Sequence, residues 1–137
     1  MRQRGSATVE TLLLALLLLV PLIWALTVLS EIHRAALATT AAAREAGFDA
    51  ARASTSSDAR LRIDAAVAAA LSDHGLDPSG ARVEWVSSHL ERGSALELRV
   101  EYDVPVLQAP FLGAVSGPAI SVTASHVARV DPFRSRP

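Results

Sequence analysis

The stretch Arg4-Gly5-Ser6-Ala7-Thr8-Val9-Glu10 leads directly into the apolar segment Thr11–Leu29, and this junction organises the chain. The segment contains no charged side chain, and leucine is its commonest residue. At about 1.5 Å per residue, a helix over it extends roughly 28 Å, close to the thickness of a bilayer hydrocarbon core. Residues 11–29 are therefore predicted to form a transmembrane helix, with Arg2 before it and Glu10 at its entrance.

The order of these residues resembles a type IV prepilin leader. Residues 1–5 form a short basic peptide that ends in Gly5, Ser6 stands where the mature chain would begin, and Glu10 lies five positions after the glycine. The leucine-rich segment, Pro21 and the small residues between Ala35 and Ala46 extend the likeness to the TadE-like pseudopilins of tight-adherence (Flp) pilus systems. The likeness covers roughly the first third of the chain. Thr11 departs from it, since an aromatic residue more often stands there in this family.

The resemblance implies a membrane-inserted minor pseudopilin, a structural component without enzymatic activity. A prepilin peptidase would cleave between Gly5 and Ser6, and Glu10 would pair with the new α-amine on the same or a neighbouring subunit. The implied partners are the membrane, other pilins or pseudopilins, and the inner-membrane platform that assembles the pilus. The N-terminus would be cytoplasmic and the C-terminal domain extracytoplasmic.

Two alternatives remain open from the residues themselves. A cleaved secretory signal also begins with basic residues, but its apolar region is shorter, about 7–15 residues, and Glu10 is out of place in it. A plain single-pass anchor carrying an extracytoplasmic binding domain requires neither Gly5 nor Glu10. Arginines near both ends of the segment leave the arginine count balanced, so the orientation is predicted from the short N-terminal tail and from the leader.

Composition excludes several classes of function. The 137 residues carry a net charge of −1, which gives no electrostatic reason to expect nucleic-acid binding. The absence of cysteine excludes disulfides and thiolate metal sites. No nucleophile elbow, phosphate loop or metal-ligand spacing is present, so no catalysis, cofactor, metal or small-molecule substrate is predicted. The four histidines are predicted to be solvated surface residues: His33, His74, His89 and His126.

The first part of the chain is predicted to be one long helix. Residues 6–53 contain abundant alanine after the apolar segment, and the pattern favours a helix from about Thr8 to Ala53, half in lipid and half outside it. Pro21 predicts a kink, because it removes a backbone hydrogen bond and crowds the preceding turn. Gly47 is the expected weak point.

A small extracytoplasmic α+β domain is predicted for residues 57–131, followed by a frayed tail at 132–137. Ser57 or Asp58 would cap a second helix that ends near His74, with Gly75 as its left-handed C-terminal cap. The apolar period then changes from 3.6 to 2 and predicts a three-stranded antiparallel sheet. The strands are marked by alternating residues: Val83 and Trp85; Leu96, Leu98, Val100, Tyr102 and Val104; Ile120, Val122, Ala124, His126, Ala128 and Val130. The apolar loop from Pro105 to Pro118 is expected to cover a sheet edge or the core.

Overall fold

The computed structural model describes residues 4–86, 91, 93–106 and 117–132. Helix α1 spans Arg4–Ala51 and helix α2 spans Ser56–Asp73. After a 3₁₀ turn at Pro78–Gly80 come strands β1 (Ala81–Trp85), β2 (Ala95–Pro105) and β3 (Ala119–Arg129). The sheet is antiparallel in the order β1-β2-β3. The predicted α+β class, with a long first helix, a second helix and three antiparallel strands, is confirmed.

The chain forms two compact units that meet between Glu31 and Ile32, within α1. The sequence places the start of the small domain at residue 57, whereas by packing the second unit also includes α1 from Ile32 onward. The reason lies in one face of α1 that consists almost entirely of alanine. Its buried residues are Ala35, Ala38, Thr39, Ala42, Ala43, Ala46, Gly47, Ala50 and, just beyond the helix, Ala53.

The core of the second unit lies between the two helices and one face of the sheet. The alanine face of α1 and the predicted apolar face of α2 meet the central strand in a single cluster of buried side chains. The largest members of this cluster are Ile63 and Leu71 from α2 and Leu96, Leu98 and Val100 from β2. Small-residue packing of this kind explains the alanine stretch without any role for it in a membrane bundle.

The boundaries of α2 are set by local hydrogen bonds. Thr55, in an extended conformation, is the N-cap and accepts a hydrogen bond from the Asp58 N–H at 3.1 Å. The Asp58 carboxylate accepts in return from the Ser54 N–H at 3.2 Å. The predicted cap at Ser57 or Asp58 is therefore wrong by a few residues, because the Thr-x-x-Asp spacing lets two side chains satisfy the free donors together. Gly75 has φ +68°, which confirms the left-handed residue after α2.

The sheet follows the predicted alternation. Leu96, Leu98, Val100 and Val104 are buried on β2, and Trp85, Leu98 and His126 lie in one row across the three strands. The opposite face carries ion pairs from Arg82 to Glu101 (3.0 Å) and Asp103 (2.8 Å), and from Arg99 to Glu84 (3.4 Å). Most of the predicted Pro105–Pro118 loop, most of the predicted frayed tail, and His89 lie outside the described residues.

Candidate functional site

The apolar segment of α1 is exposed around its whole circumference. Every residue from Ala7 to Thr27 is exposed, including large side chains on all sides of the helix such as Leu13 (62%), Leu17 (72%) and Leu18 (75%). Covering one such side chain is worth about 1.5–3 kcal/mol, so an apolar cylinder of this kind is unfavourable in water. A helix that is apolar all round is typical of a membrane span or of a protein interior. This one is long and apolar enough to cross a membrane, and none of its most apolar stretch is buried.

The polar side chains inside the segment are satisfied by the helix itself. Thr11 Oγ1 donates to the Ala7 carbonyl at 2.8 Å, and Thr27 Oγ1 donates to the Ile23 carbonyl at 3.0 Å. Neither hydroxyl therefore needs water, which suits a low-dielectric surrounding. Pro21 lies inside α1, and the helix is continuous on both sides of it. The predicted kink stays a prediction.

The residues of the predicted leader cleavage lie at the start of the same helix. Gly5 and Ser6 fall in the first turn of α1, which begins at Arg4. Ser6 and Glu10 are four residues apart on this helix, so they lie on one face about 6 Å apart along the axis. Helical side chains lean toward the N-terminus, which directs the Glu10 carboxylate toward residue 6. Cleavage between Gly5 and Ser6 would thus place the new amine one turn from this carboxylate.

Among the described residues, no cationic side chain pairs with Glu10. Its side chain is exposed, and no ion pair or hydrogen bond involves it within the described part of the chain. The positions three and four residues away on α1 are Ser6, Ala7, Leu13 and Leu14, none of which carries a cationic side chain. An ionisable group at membrane depth usually has a partner. Its neighbours on α1 supply no cationic partner. Glu10 is therefore the residue of this helix that most needs such a partner from elsewhere.

The histidines of the second unit do not form a metal site. Among the described residues no group of three histidine, aspartate or glutamate side chains could hold a metal ion. His33 is exposed as predicted, but His126 is not a solvated residue. Its ring packs 5.4 Å from the Phe48 ring, and its Nε2 is buried without a hydrogen-bond partner among the described residues. The prediction for His126 is wrong because β3 turns its even-numbered side chains toward α1.

Two features of the sheet and helix were not identified from the sequence. Gly47 lies against β3, where a Cβ would stand 2.8 Å from His126 Cδ2 and 3.5 Å from Ala128 Cβ. The glycine allows α1 and β3 to approach closely. Contrary to the expectation of a weak point, α1 is continuous through Gly47. Phe48 is 47% exposed, and its ring centroid lies 5.8 Å from the Arg44 guanidinium carbon. The contact between Gly47 and β3 could have been anticipated from the alternation of residues in β3, because this alternation assigns His126 and Ala128 to the inner face.

Comparison with known proteins gives no family assignment, so the function has to be inferred from the residues of this chain. No protein-family model, no curated protein and no solved structure matches this chain.

Proposed function

We propose that this protein is a membrane-inserted minor pseudopilin of the TadE-like type, which assists the assembly of a tight-adherence pilus. The observation that carries the proposal is the placement of Glu10, a carboxylate with no ion pair in the described part of the chain, at the entrance of a helix that exposes apolar side chains on every side. Ser6 lies one turn before this carboxylate on the same helix.

Trimming after Gly5 supplies the missing partner. The α-amine of a chain that begins at Ser6 has an ordinary pKa near 8, so it is largely protonated at neutral pH. In a low-dielectric surrounding neither an isolated amine nor an isolated carboxylate is favourable, and pairing reduces that cost. The same pair formed between two subunits sets the register of their helices, which gives Glu10 a role in assembly.

The other parts of the proposal rest on the short N-terminal tail and on the resemblance of the leader. The N-terminus is cytoplasmic, the second unit is extracytoplasmic, and the protein is anchored in the cell membrane or enters a surface pilus. Its partners are the prepilin peptidase, other pilins or pseudopilins and the inner-membrane assembly platform. The protein acts structurally, without catalysis, cofactor, nucleic acid or small-molecule substrate.

A second candidate is a single-pass anchor with an extracytoplasmic binding domain that is neither trimmed nor polymerised. It is favoured by the self-contained core of the second unit, which begins at Ile32 and includes no residue of the leader. Such an anchor gives Gly5 and Glu10 no function, and this is the point at which the two candidates differ.

The N-terminal mass of the membrane-extracted protein tests the proposal. In cells that carry a prepilin peptidase, the wild-type chain is expected to begin at Ser6, whereas Gly5→Val keeps its first five residues. Ala7→Val, which adds similar bulk two positions later, controls for general disturbance of the helix entrance and should still be trimmed. A wild-type terminus at Met1 or Arg2 in such cells contradicts the pseudopilin proposal and favours the plain anchor.

A further inference from the structure

The apolar segment of α1 contains one side-chain donor that its own helix does not use. Three side chains between residues 11 and 29 carry a polar hydrogen: Thr11, Trp24 and Thr27. The two hydroxyls donate to carbonyls one turn earlier in the helix. The Trp24 side chain is 45% exposed, and among the described residues its indole N–H makes no hydrogen bond. A tryptophan N–H that is removed from water usually has an acceptor.

The position of Trp24 keeps its indole away from the nearer membrane surface. Trp24 lies five residues before Leu29, so its Cα is about 7.5 Å inside the C-terminal end of the segment. Helical side chains lean toward the N-terminus, which for Trp24 is the direction of the bilayer centre. At that depth neither water nor lipid headgroups supply an acceptor for the N–H, so a protein group has to supply it.

The same helix contains one backbone acceptor that lacks its usual donor. Pro21 has no N–H and cannot donate to the Leu17 carbonyl, as residue 21 of a regular helix would. In membranes a neighbouring helix can satisfy such a freed carbonyl. Leu17 and Trp24 are seven residues apart, which places acceptor and donor on one face of α1, about 10.5 Å apart along the axis. A tryptophan side chain does not reach two turns back along its own helix.

We propose that the Trp24 indole N–H donates to the Leu17 carbonyl of a second copy of the chain, whose α1 lies beside it and runs in the same direction. The indole leans toward the N-terminus and helix carbonyls point toward the C-terminus, so a displacement of less than one turn, about 5.4 Å, closes the remaining gap. The occupant is a second copy because each chain offers both donor and acceptor on the same face. Parallel helices also leave both copies inserted in one membrane with one orientation.

Glu10 lies on the same face of α1. Glu10, Leu17 and Trp24 recur every seven residues, with Leu13 between the first two, and this repeat defines a seam along which two parallel helices can pack. The displacement that brings Trp24 to the neighbour's carbonyl also brings Glu10 toward the neighbour's Ser6, because both contacts run from a later residue to an earlier one. The second copy is thus one of the pilin partners of the proposed function, on which this pairing rests for the placement of α1 in a membrane.

A double-mutant cycle tests the hydrogen bond. The full chain is expressed in cells without a prepilin peptidase, and its self-association is measured by energy transfer between labelled copies in phosphatidylcholine vesicles. Trp24→Phe keeps an aromatic ring but loses the N–H, so it should weaken association about three- to tenfold. Pro21→Ala returns a donor to the Leu17 carbonyl within the helix, and in that background Trp24→Phe should have no further effect. Wild-type chains that do not associate, or an equal loss in both backgrounds, would overturn the proposal.

Single cysteines test the seam and the direction of the helices, because the chain has no cysteine of its own. Leu13→Cys places a thiol on the seam, whereas Leu12→Cys places one at nearly the same depth but turned away from it. The two leucines are similarly exposed, at 62% and 65%. Since residue 13 lies near one end of the segment, only parallel copies bring two such thiols together. Oxidation is expected to cross-link Leu13→Cys at least tenfold more than Leu12→Cys, and equal yields would contradict the pairing.

The indole resonances provide a direct readout with an internal control. In detergent micelles, dilution of the full chain should shift the Trp24 indole N–H resonance as the hydrogen bond is lost. The resonance of Trp85, whose Nε1 is buried in the second unit, should stay in place. A Trp24 resonance that does not move on dilution would show that its N–H has no acceptor on a second copy. None of these readouts involves cleavage at Gly5, so they can fail while the proposed function stands, and the reverse also holds.

Discussion

Gly47 of α1 and His126 of β3 approach so closely that a Cβ on residue 47 would lie 2.8 Å from the imidazole Cδ2. The ring has little freedom to move away, since it also packs against Phe48. The glycine is thus kept inside the last two turns of α1, although alanine is ordinarily favoured within a helix by about 1 kcal/mol.

Gly47→Ala is expected to destabilise the second unit by about 1 kcal/mol, because overpacking costs of 1–3 kcal/mol exceed the gain in helix propensity. In a His126→Ala background the clash is absent, and the same substitution should stabilise by about 0.5–1 kcal/mol. The measurement is amide hydrogen exchange at Leu98 and Val100 in the full chain. A Gly47→Ala effect of the same sign in both backgrounds would show that the imidazole does not set the spacing.

Leu98→Ala should lower the free energy of unfolding by about 2–5 kcal/mol, because Leu98 is fully buried on the central strand and its removal leaves a cavity. The amides of Leu98 and Val100 should be among the slowest to exchange in the wild type. Arg99→Ala, one residue along and exposed, is the control and should change stability by less than about 0.5 kcal/mol. Similar losses for both variants would mean that the faces of β2 are assigned incorrectly.

Hydrogen bonding from Ser121, and the nearby Arg82 guanidinium, lower the pKa of Asp103 below its ordinary value of 3.8. Because the folded-state pKa is lowered, this carboxylate contributes stability above pH 3.8, and the contribution is lost as the pH falls through the folded pKa. Ser121→Ala should move the Asp103 pKa back toward 3.8, as followed by NMR of the carboxyl carbon. Ser125→Ala, on the same face of β3, should leave that pKa unchanged. If Ser121→Ala does not raise the pKa, the hydroxyl is not its main cause.

If the proposed function is correct, Glu10→Val should leave membrane insertion and trimming largely intact while reducing co-assembly with other pilins, since it removes the proposed partner of the Ser6 α-amine. Glu31→Gln, which alters the first carboxylate after the apolar segment, is the control and should assemble normally. Co-purification with pilus subunits and a count of surface fibres measure both. Wild-type assembly in the Glu10→Val strain would reduce Glu10 to a marker of the lipid interface.

Periodicity was sufficient to predict the elements whose exposure alternates cleanly. In β2 the buried and charged residues alternate over the whole strand, and the strand was correctly located. The long first helix was predicted because nineteen uncharged residues and then an alanine-rich run contain a single proline. Local composition is sufficient to predict an element where the polarity of each residue matches the exposure of its side chain.

The remaining features depend on residues that are distant in sequence. Neither His126 nor Gly47 is unusual in its own segment, and their contact exists only because β3 packs on α1. The position of β3 at the edge of the described sheet is likewise a property of strand order, which periodicity does not reveal. The cap of α2 was misplaced because four hydroxyl-bearing residues precede Asp58, and only the backbone geometry selects Thr55.

Because of the alanine face of α1, the two sides of the core in the second unit differ in how well they tolerate substitutions. A methyl group has no rotamers, so apart from Thr39 little on the helix side of this interface can rearrange around a larger neighbour. Any added volume at Ala42 or Ala46 must be absorbed by the longer side chains of the sheet and of α2. Exchanges among similar shapes are therefore expected to be tolerated at the leucines and valines opposite, while the helix accepts only the smallest side chains.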